Sequence, residues 1–346
     1  MGPRSTPESK TESPGISVLL PVRDAEEHLP ACVASLESQT LGDFEVLAVD
    51  DGSVDGTRRI LEGWAGRDPR VRVLLQGREG LVAALEHART SARGRYLARM
   101  DADDLAEPRR LERQLELMEG RPDVAGCGSG VAYFPAGEVK GGALRYQRWL
   151  NALVEPAQIE RDLFVECPLA HPTFFLRSDA VAEVGGYREM GWPEDYDLVL
   201  RLWEAGGRFA KVPEVLLFWR EGALRFSRRH PAYAPEAFRR LKVDVLRRTL
   251  LVGREGALVW GAGPTGKAFA RTLQDAGVPV RAFVDLDPRK VGQRVQGAPV
   301  VSTDDANRYR NALCVAAVGQ EGARAEIRAS LAGMGWREMR DFIAVA

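Results

Sequence analysis

The stretch Arg95-Tyr-Leu-Ala-Arg-Met-Asp-Ala-Asp-Asp104 runs from a short apolar segment into a cluster of carboxylates. The apolar part has the length and composition of a buried strand, so the acidic part is expected at the end of that strand. Carboxylates this close together repel one another, and a divalent cation that carries a phosphate-bearing ligand would compensate them. Taken alone, the cluster can also be an acidic loop, with Asp104 as the N-cap of the next helix.

The same pattern of a strand followed by polar residues occurs twice earlier in the chain. Ile16–Leu20 leads into Pro21-Val22-Arg23, and Phe44–Val49 leads into Asp50-Asp51. Between these strands, apolar residues recur at the three- and four-residue spacing of amphipathic helices. The alternation of strands and helices predicts an α/β fold with a mostly parallel sheet. Because ligands of open α/β sheets bind outside the carboxyl ends of the strands, we expect the three polar ends to share one crevice.

Composition and charge narrow the class of protein. The chain has 346 residues, of which 45% are hydrophobic and 28% charged, as expected for about two domains with ordinary cores. A net charge of −1 argues against nucleic acid as a partner. The four cysteines have no metal-binding or C-x-x-C spacing, and we expect them to be reduced and buried, as in a cytoplasmic protein. Residues 1–14 lack the apolar core of a signal peptide and are expected to be a disordered tail.

A second α/β pattern begins near residue 256. Gly261-Ala-Gly263-Pro-Thr-Gly266 follows the apolar run Ala257–Trp260 and precedes a helical pattern, and Asp285 ends the next strand. This is the spacing of the dinucleotide-binding fingerprint, in which the glycines allow a tight turn, close approach to a pyrophosphate and close packing of the helix, and the acidic residue binds a ribose. A P-loop is rejected because Ala268 stands where a Ser or Thr would hold magnesium. The region resembles the Rossmann-like modules that are attached to some sugar-modifying enzymes.

Six motifs of the first part occur in an order that resembles a known family. They are Leu20-Pro21-Val22-Arg23, Val49-Asp50-Asp51-Gly52-Ser53, Asp101-Ala102-Asp103-Asp104, His171-Pro172, Gly185-Gly186-Tyr187 and Glu194-Asp195-Tyr196-Asp197-Leu198. Over roughly residues 15–225, the chain looks like a family 2 glycosyltransferase, which is an inverting enzyme with the GT-A fold and a nucleotide-sugar donor. One such motif is weak, whereas six in the right order are specific.

The resemblance implies a donor site at the strand ends. Asp51 would bind the nucleotide base, usually the uracil of a UDP-sugar, Asp101 would face the ribose or the sugar, and Asp103 would bind Mn²⁺ or Mg²⁺. The other residues expected around the nucleotide sugar are Pro21, Val22, Arg23, Asp50, Ala102 and His171. The run Arg225 to Arg229 lies where the family often has a loop that contacts the diphosphate, and a solvated charged face is its alternative interpretation.

The resemblance also implies how the reaction proceeds. Asp195 would be the general base, with Glu194 as its support. The base removes the proton of the acceptor hydroxyl as that oxygen attacks C1, while the metal neutralises the leaving diphosphate. Pro193 and the acids after it indicate a helix start, and a helix N-terminus would favour the ionised form of Asp195. Asp197 is expected to cap the helix or to form an ion pair.

Each of these residues also has a structural interpretation. Asp51 would then be a turn residue, His171 a histidine at a strand end, and Asp195 a helix cap.

We therefore predict a disordered tail over residues 1–14, a GT-A glycosyltransferase domain over 15–234, a helical linker over 235–254 and a Rossmann-like module over 255–346. The module would bind a nucleotide through Gly261, Gly263, Gly266 and Asp285, regulate or dock, or else have lost its ligand.

The leading hypothesis for function is sugar transfer in polysaccharide or glycoconjugate synthesis. Its alternatives are an NAD-dependent sugar oxidoreductase that works through the C-terminal module, and a non-catalytic nucleotide-sugar sensor. The expected acceptor is a saccharide or a lipid-linked sugar. No apolar run approaches the ~20 residues that span a bilayer. We expect a cytoplasmic enzyme, and the arginine-rich segment 225–248 hints at peripheral contact with the inner face of a membrane.

Overall fold

The structure is a computed structural model that describes residues 14–222 and 225–346. Its strands are β1 (Ile16–Val22), β2 (Phe44–Asp51), β3 (Val71–Gln76), β4 (Tyr96–Arg99), β5 (Leu105–Ala106), β6 (Gly126–Phe134), β7 (Phe175–Arg177), β8 (Phe209–Arg220), β9 (Ala257–Trp260), β10 (Val280–Val284), β11 (Arg294–Val295), β12 (Ala298–Val301), β13 (Leu313–Ala316) and β14 (Phe342–Ala344). The predicted tail lies outside the described residues, except for Pro14.

The helices alternate with the strands at both ends of the chain. They are α1 (Leu29–Glu37), α2 (Thr57–Ala65), α3 (Leu81–Ser91), α4 (Arg110–Gly120), α5 (Gly141–Ala152), α6 (Pro156–Arg161), α7 (Ser178–Glu183), α8 (Glu194–Glu204), α9 (Phe226–Arg229), α10 (Pro235–Arg248), α11 (Pro264–Asp275) and α12 (Ala323–Gly333). Among the helices of the described residues, none combines the length and the hydropathy needed to cross a bilayer.

The first sheet has eight strands in the order β3-β2-β1-β4-β7-β6-β8-β5. The strands β3, β2, β1 and β4 are parallel, which confirms the predicted α/β class, and β7 is antiparallel to both of its neighbours. Val22 pairs with Asp50, and Leu19 pairs with Arg99. The carboxyl ends of β1, β2 and β4 therefore lie at one edge of the sheet, as the three polar strand ends predicted.

Two glycine-rich segments of the middle region, 126–130 and 141–142, have a composition typical of turns, but the structure shows regular elements there. Gly126 begins strand β6, and Gly141 begins helix α5. The glycines of β6 reflect crowding, because a Cβ on Gly126 would lie 2.3 Å from Leu176 Cδ2 and one on Gly130 would lie 2.8 Å from the carbonyl of Glu214. Close approach of the Leu176 side chain at Gly126 and of the Glu214 backbone at Gly130 therefore explains glycines that resemble turn residues in the sequence.

The second sheet has six strands in the order β11-β12-β10-β9-β13-β14. All pairs are parallel except β11 with β12. The five parallel strands follow the order 3-2-1-4-5 in which doubly wound nucleotide-binding sheets begin. At the turn after β9, a Cβ on Gly266 would lie 1.8 Å from the carbonyl oxygen of Gly261, so α11 packs against β9 at a distance that only glycine allows.

The two sheets belong to regions that pack against each other. The predicted linker is helical, and its Lys242 ammonium donates to the carbonyl oxygens of Val165 and Val345 over 2.8 and 3.2 Å. Asp162 accepts from Trp149 Nε1 at 2.8 Å and from Arg328 at 2.6 Å. The C-terminal module is thus held to the first region by buried polar bonds as well as by shared apolar packing.

Candidate active site

A cleft of about 1020 Å³ opens at the carboxyl ends of β1 and β4. Seven of the predicted site residues line it, namely Pro21, Arg23, Asp101, Ala102, Asp103, His171 and Asp195. Val22, Asp50, Asp51 and Glu194 are buried beside the cleft and are not among its lining residues. The sheet therefore brings most of the predicted residues together.

The acidic cluster presents three carboxylates to one point. Oxygens of Asp101, Asp103 and Asp104 lie within 4.8 Å of one another. Asp104 Oδ1 accepts from the Arg220 amide at 2.7 Å, while its buried Oδ2 has no partner among the described residues. Burial, and then the charge of Asp101, raise the pKa of both Asp103 and Asp104. An orphaned oxygen beside further carboxylates fits a divalent cation of the Mg²⁺ or Mn²⁺ type.

Asp104 is not the cap of the next helix, and that interpretation is wrong. Helix α4 begins at Arg110, and Asp104 instead fastens the end of β8 through the Arg220 amide. The sequence signal for its role was a fourth acid in the cluster, but only the fold shows that its side chain is buried among the other carboxylates.

Two buried arginines lie under this cluster, and the sequence interpretation missed both. The Arg99 guanidinium forms an ion pair with Asp101 and lines the cleft. Arg110 donates to the Arg99 carbonyl over 2.6 Å and to Gln114 over 3.1 Å. Burial lowers the pKa of Arg110 to about 10. A charged residue at the end of an otherwise apolar strand was the available signal for Arg99.

Helix α8 carries the second acidic group. Glu194 is fully buried, whereas Asp195 reaches the cleft, and the Asp195 carboxylate accepts from the Tyr196 amide at 2.7 Å. Burial and then the charge of Glu194 raise the pKa of Asp195 to about 8. The Tyr196 amide at the helix N-terminus favours ionised Asp195, as expected, but desolvation and the charge of Glu194 outweigh it.

His171 connects the two halves of the cleft wall. Its Nε2 lies 3.2 Å from the Tyr187 hydroxyl, and its Nδ1 lies 3.6 Å from Glu194 Oε1. Burial, and then the charge of Arg99, lower the pKa of His171 well below its usual value, so the ring is neutral at physiological pH. His171 therefore helps to hold Glu194, whatever it contacts on a substrate.

Asp50 and Asp51 shape the loop on the nucleotide side of the predicted site. Asp51 Oδ1 accepts from Gln76 Nε2 and from the amides of Glu79 and Gly80 at 2.8 to 3.1 Å. Asp50 Oδ1 accepts from the Ser53 amide at 3.0 Å. Asp51 thus has the turn role that was its alternative interpretation, and Asp50 also holds the turn that follows β2. Contact between Asp51 and a nucleotide base stays a prediction.

The arginine run has two members in the cleft. Arg225 lies 4.3 Å above the Trp219 ring, which stacks on Tyr133 with 5.2 Å between ring centres. Glu221 forms ion pairs with both Arg225 and Arg228. The side chains of residues 226 and 227 lie outside the described residues, and Arg229 is exposed. Arg225 is therefore held by packing and charge and is not part of a purely solvated face.

Comparison with known proteins identifies the family. A family model described as "Glycosyl transferase family 2" matches residues 17–185. Two bacterial proteins that are named as glycosyltransferases match a longer part of the chain than the family model does. EpsE of Bacillus subtilis (strain 168) is 33% identical over 244 residues, which cover 67% of this chain and 84% of EpsE. The chain belongs to glycosyltransferase family 2.

Other comparisons agree with this membership. AmsE of Erwinia amylovora, an amylovoran biosynthesis glycosyltransferase, is 32% identical over 216 residues, which cover 62% of this glycosyltransferase and 79% of AmsE. Among solved structures, S. aureus TarS 1–349 aligns with a TM-score of 0.52 at 17% identity, over 67% of this chain and 65% of that one. Its complex with UDP-GlcNAc aligns with a TM-score of 0.53 at 16% identity, over 67% and 66%. The first region therefore has the GT-A type of fold, as predicted.

In the C-terminal module of this family 2 glycosyltransferase, the acidic residue of the dinucleotide-binding fingerprint forms hydrogen bonds within the module. Asp285 Oδ2 accepts from the Ala262 amide and from the Lys290 ammonium, each at 2.9 Å. The carboxylate that would bind a ribose is therefore already engaged within the module. Nucleotide binding by Gly261, Gly263, Gly266 and Asp285 stays a prediction.

Proposed function

We propose that this glycosyltransferase moves a sugar from a UDP-sugar to an acceptor hydroxyl, with inversion at the anomeric carbon and Asp195 as the general base. One observation carries the proposal: the Asp195 carboxyl reaches the cleft that Asp101 and Asp103 also line, and its pKa is about 8. A general base works best when its pKa lies near the operating pH.

The residues around Asp195 support its role. Glu194 lies behind it, accepts from the Tyr233 hydroxyl and sits 3.6 Å from His171 Nδ1. Glu194 is therefore a positioning residue that holds the start of α8 and raises the pKa of its neighbour. The acceptor hydroxyl would donate to Asp195 and transfer its proton to that carboxylate as its oxygen attacks C1.

The donor side is assigned to the acidic cluster and the neighbouring strand ends. Asp103 and Asp104, with Asp101, would hold Mn²⁺ or Mg²⁺, which supplies charge neutralisation for the leaving diphosphate. Arg225 and Arg23 line the same cleft and would add positive charge next to the phosphates. The UDP-GlcNAc complex of the TarS fold relative supports UDP as the nucleotide.

We propose that the enzyme acts in polysaccharide or glycoconjugate synthesis, so that its acceptor is a saccharide or a lipid-linked sugar. The support is the relative AmsE, which is named for amylovoran biosynthesis. Our proposed domain limits remain 15–234 for the transferase and 255–346 for the module, which we propose docks on the transferase through Lys242 and Asp162. No observation favours the oxidoreductase or the sensor over sugar transfer.

A donor screen followed by two substitutions tests the proposal. Calorimetry with UDP- and GDP-sugars and Mn²⁺ identifies the donor, and release of the nucleoside diphosphate measures transfer. Asp195→Asn is expected to keep donor affinity and to lose about 10²- to 10⁴-fold in kcat. Asp197→Asn is the matched control. Asp197 lies on the same helix, but it does not line the cleft, and its carboxylate lies 2.7 Å from the Arg201 guanidinium. Normal turnover by Asp195→Asn would refute the assignment of the base.

A further inference from the structure

Arg99 lines the cleft together with both of its acidic groups. It ends β4, its side chain is 3% exposed, and it lines the cleft while forming an ion pair with Asp101. The proposed metal carboxylates Asp101 and Asp103 line the same cleft, and so does the proposed base Asp195. The guanidinium therefore borders the space in which both acidic groups act.

The hydrogen bonds of Arg99 are incomplete. Its buried Nε has no hydrogen-bond partner among the described residues, although its Nη1 lies against Asp101. A buried guanidinium N–H without an acceptor is unfavourable, and such groups in native structures are usually satisfied by another molecule. The neighbouring cleft is where that acceptor can come from.

The surrounding charge tells which kind of acceptor fits. Asp101 already neutralises Arg99, and Asp104 and the α8 carboxylates add further negative charge nearby. An additional anion is disfavoured here, whereas a neutral hydroxyl group is not. A hydroxyl can accept from the guanidinium and donate to the Asp101 carboxylate, so the ion pair offers both halves of what a sugar hydroxyl needs.

We propose that Arg99, acting with Asp101, binds a ring hydroxyl of the transferred sugar and thereby sets the specificity for the donor sugar. The inference rests on the proposed function, because sugar transfer requires the sugar ring to lie between the diphosphate and the base. Arg99 lines the cleft together with the groups that we assign to those two ends, and it pairs with Asp101. It therefore contacts the sugar rather than the nucleoside.

The test separates affinity for the sugar from affinity for the nucleotide. Calorimetry with Mn²⁺ compares UDP, the donor found in the screen and a series of donor analogues that each lack one ring hydroxyl. Arg99→Met is expected to weaken the donor by about 10- to 100-fold, since it removes a charge-assisted hydrogen bond, and to change UDP affinity by less than about 3-fold. One deoxy analogue should bind the wild type about 10- to 100-fold more weakly than the parent donor does. That analogue and the parent donor should bind Arg99→Met equally well.

Two further variants separate binding from structure. Arg99→Lys keeps the charge but loses the planar fork, so it should leave UDP affinity unchanged and recover only part of the donor affinity that Arg99→Met loses. Arg177→Met is the control, because Arg177 lies on the neighbouring strand β7 and donates to the carbonyls of Val124 and Met118 outside the cleft. It should lower the melting temperature and leave the ratio of donor to UDP affinity unchanged.

Other outcomes overturn the inference. Equal losses of UDP and donor affinity in Arg99→Met would mean that Arg99 only supports the acidic cluster. If the Arg99 variants do not fold, the deoxy analogues on the wild-type protein decide the question. The inference fails if every analogue binds the wild type within 2-fold of the parent donor. If no nucleotide sugar binds the wild-type protein, the proposed function itself fails. If a donor binds but its affinity does not depend on Arg99, only the inference about Arg99 fails.

Discussion

The Tyr233 hydroxyl lies 2.8 and 2.9 Å from the two carboxylate oxygens of Glu194. This contact ties the start of helix α8 to the segment that follows the arginines of the cleft. The bond favours the ionised form of Glu194, which burial alone would disfavour. Because the charge of Glu194 raises the pKa of Asp195, a residue distant in the sequence adjusts the proposed base through its neighbour.

We therefore predict an effect of Tyr233→Phe on the pH profile. Losing the hydroxyl raises the pKa of Glu194, which reduces its negative charge and so lowers the pKa of Asp195. The acid limb of kcat should move to lower pH, and Glu194→Gln should move it further in the same direction. Rates measured from pH 5 to 9 check this. An unchanged midpoint in both variants would mean that Glu194 does not act on the base.

The wild-type enzyme should itself have a high acid limb. The base must be ionised to accept a proton, so activity is present above the pKa of Asp195 and is lost below it. With that pKa at about 8, kcat should still be rising between pH 7 and 8. Initial rates at saturating donor and acceptor measure the limb. A half-maximal rate near pH 4, where an ordinary aspartate titrates, would contradict this environment for Asp195.

Removal of the metal should abolish transfer. We expect EDTA to stop turnover and added Mn²⁺ to restore it. Asp104→Asn should raise the Mn²⁺ concentration for half-maximal activity at least about tenfold, because the amide keeps the bond to the Arg220 amide but replaces the orphaned Oδ2 with an NH₂ group. Asp123→Asn, at an exposed carboxylate paired with Arg121, is the control and should leave it unchanged. Full activity in EDTA would exclude a metal requirement.

The junction with the C-terminal module should depend on Asp162. Burial opposes its charge, but bonds from Trp149 and Arg328 prevail and lower its pKa. Asp162→Asn removes the carboxylate charge that pairs with Arg161, Arg324 and Arg328. It should reduce the free energy of unfolding by about 2 to 4 kcal/mol, at the lower end because those arginines reach water and Arg328 keeps its pair with Glu338. Urea unfolding measures this loss. The control is Asp244→Asn, at a partly exposed ion pair with Arg248, which should reduce the free energy of unfolding by less than about 1 kcal/mol.

The Asp162 contribution should also depend on pH. Because the folded-state pKa lies below the unfolded value, the stabilisation is complete above about pH 4 and is lost as the pH falls through the folded-state pKa. Wild type and Asp162→Asn should therefore converge in stability toward pH 2. A difference that stays constant over this range would show that charge is not its cause.

Local pattern alone predicted the parts of the fold in which each strand and helix has its own signature. The strands that lead to Arg23, Asp51 and Asp101 have apolar runs and polar ends, and parallel pairing brings those ends to one edge. The strand from Gly126 gave no strand signal because Gly126 makes room for the side chain of Leu176, a residue 50 positions away. Contacts of that range leave no periodic signal in the sequence.

By itself, the sequence determined the family, the two α/β regions and the three acidic positions Asp101, Asp103 and Asp195, because residue type and order along the chain carry that information. The tertiary structure decided what these groups are like. It buried Asp195 beside Glu194 so that its pKa rises, and it left Oδ2 of Asp104 without a partner among the described residues. It also paired Arg99 with Asp101 in the cleft that Asp195 lines. Desolvation and charge depend on which distant residues surround a group, and only the folded chain determines those neighbours.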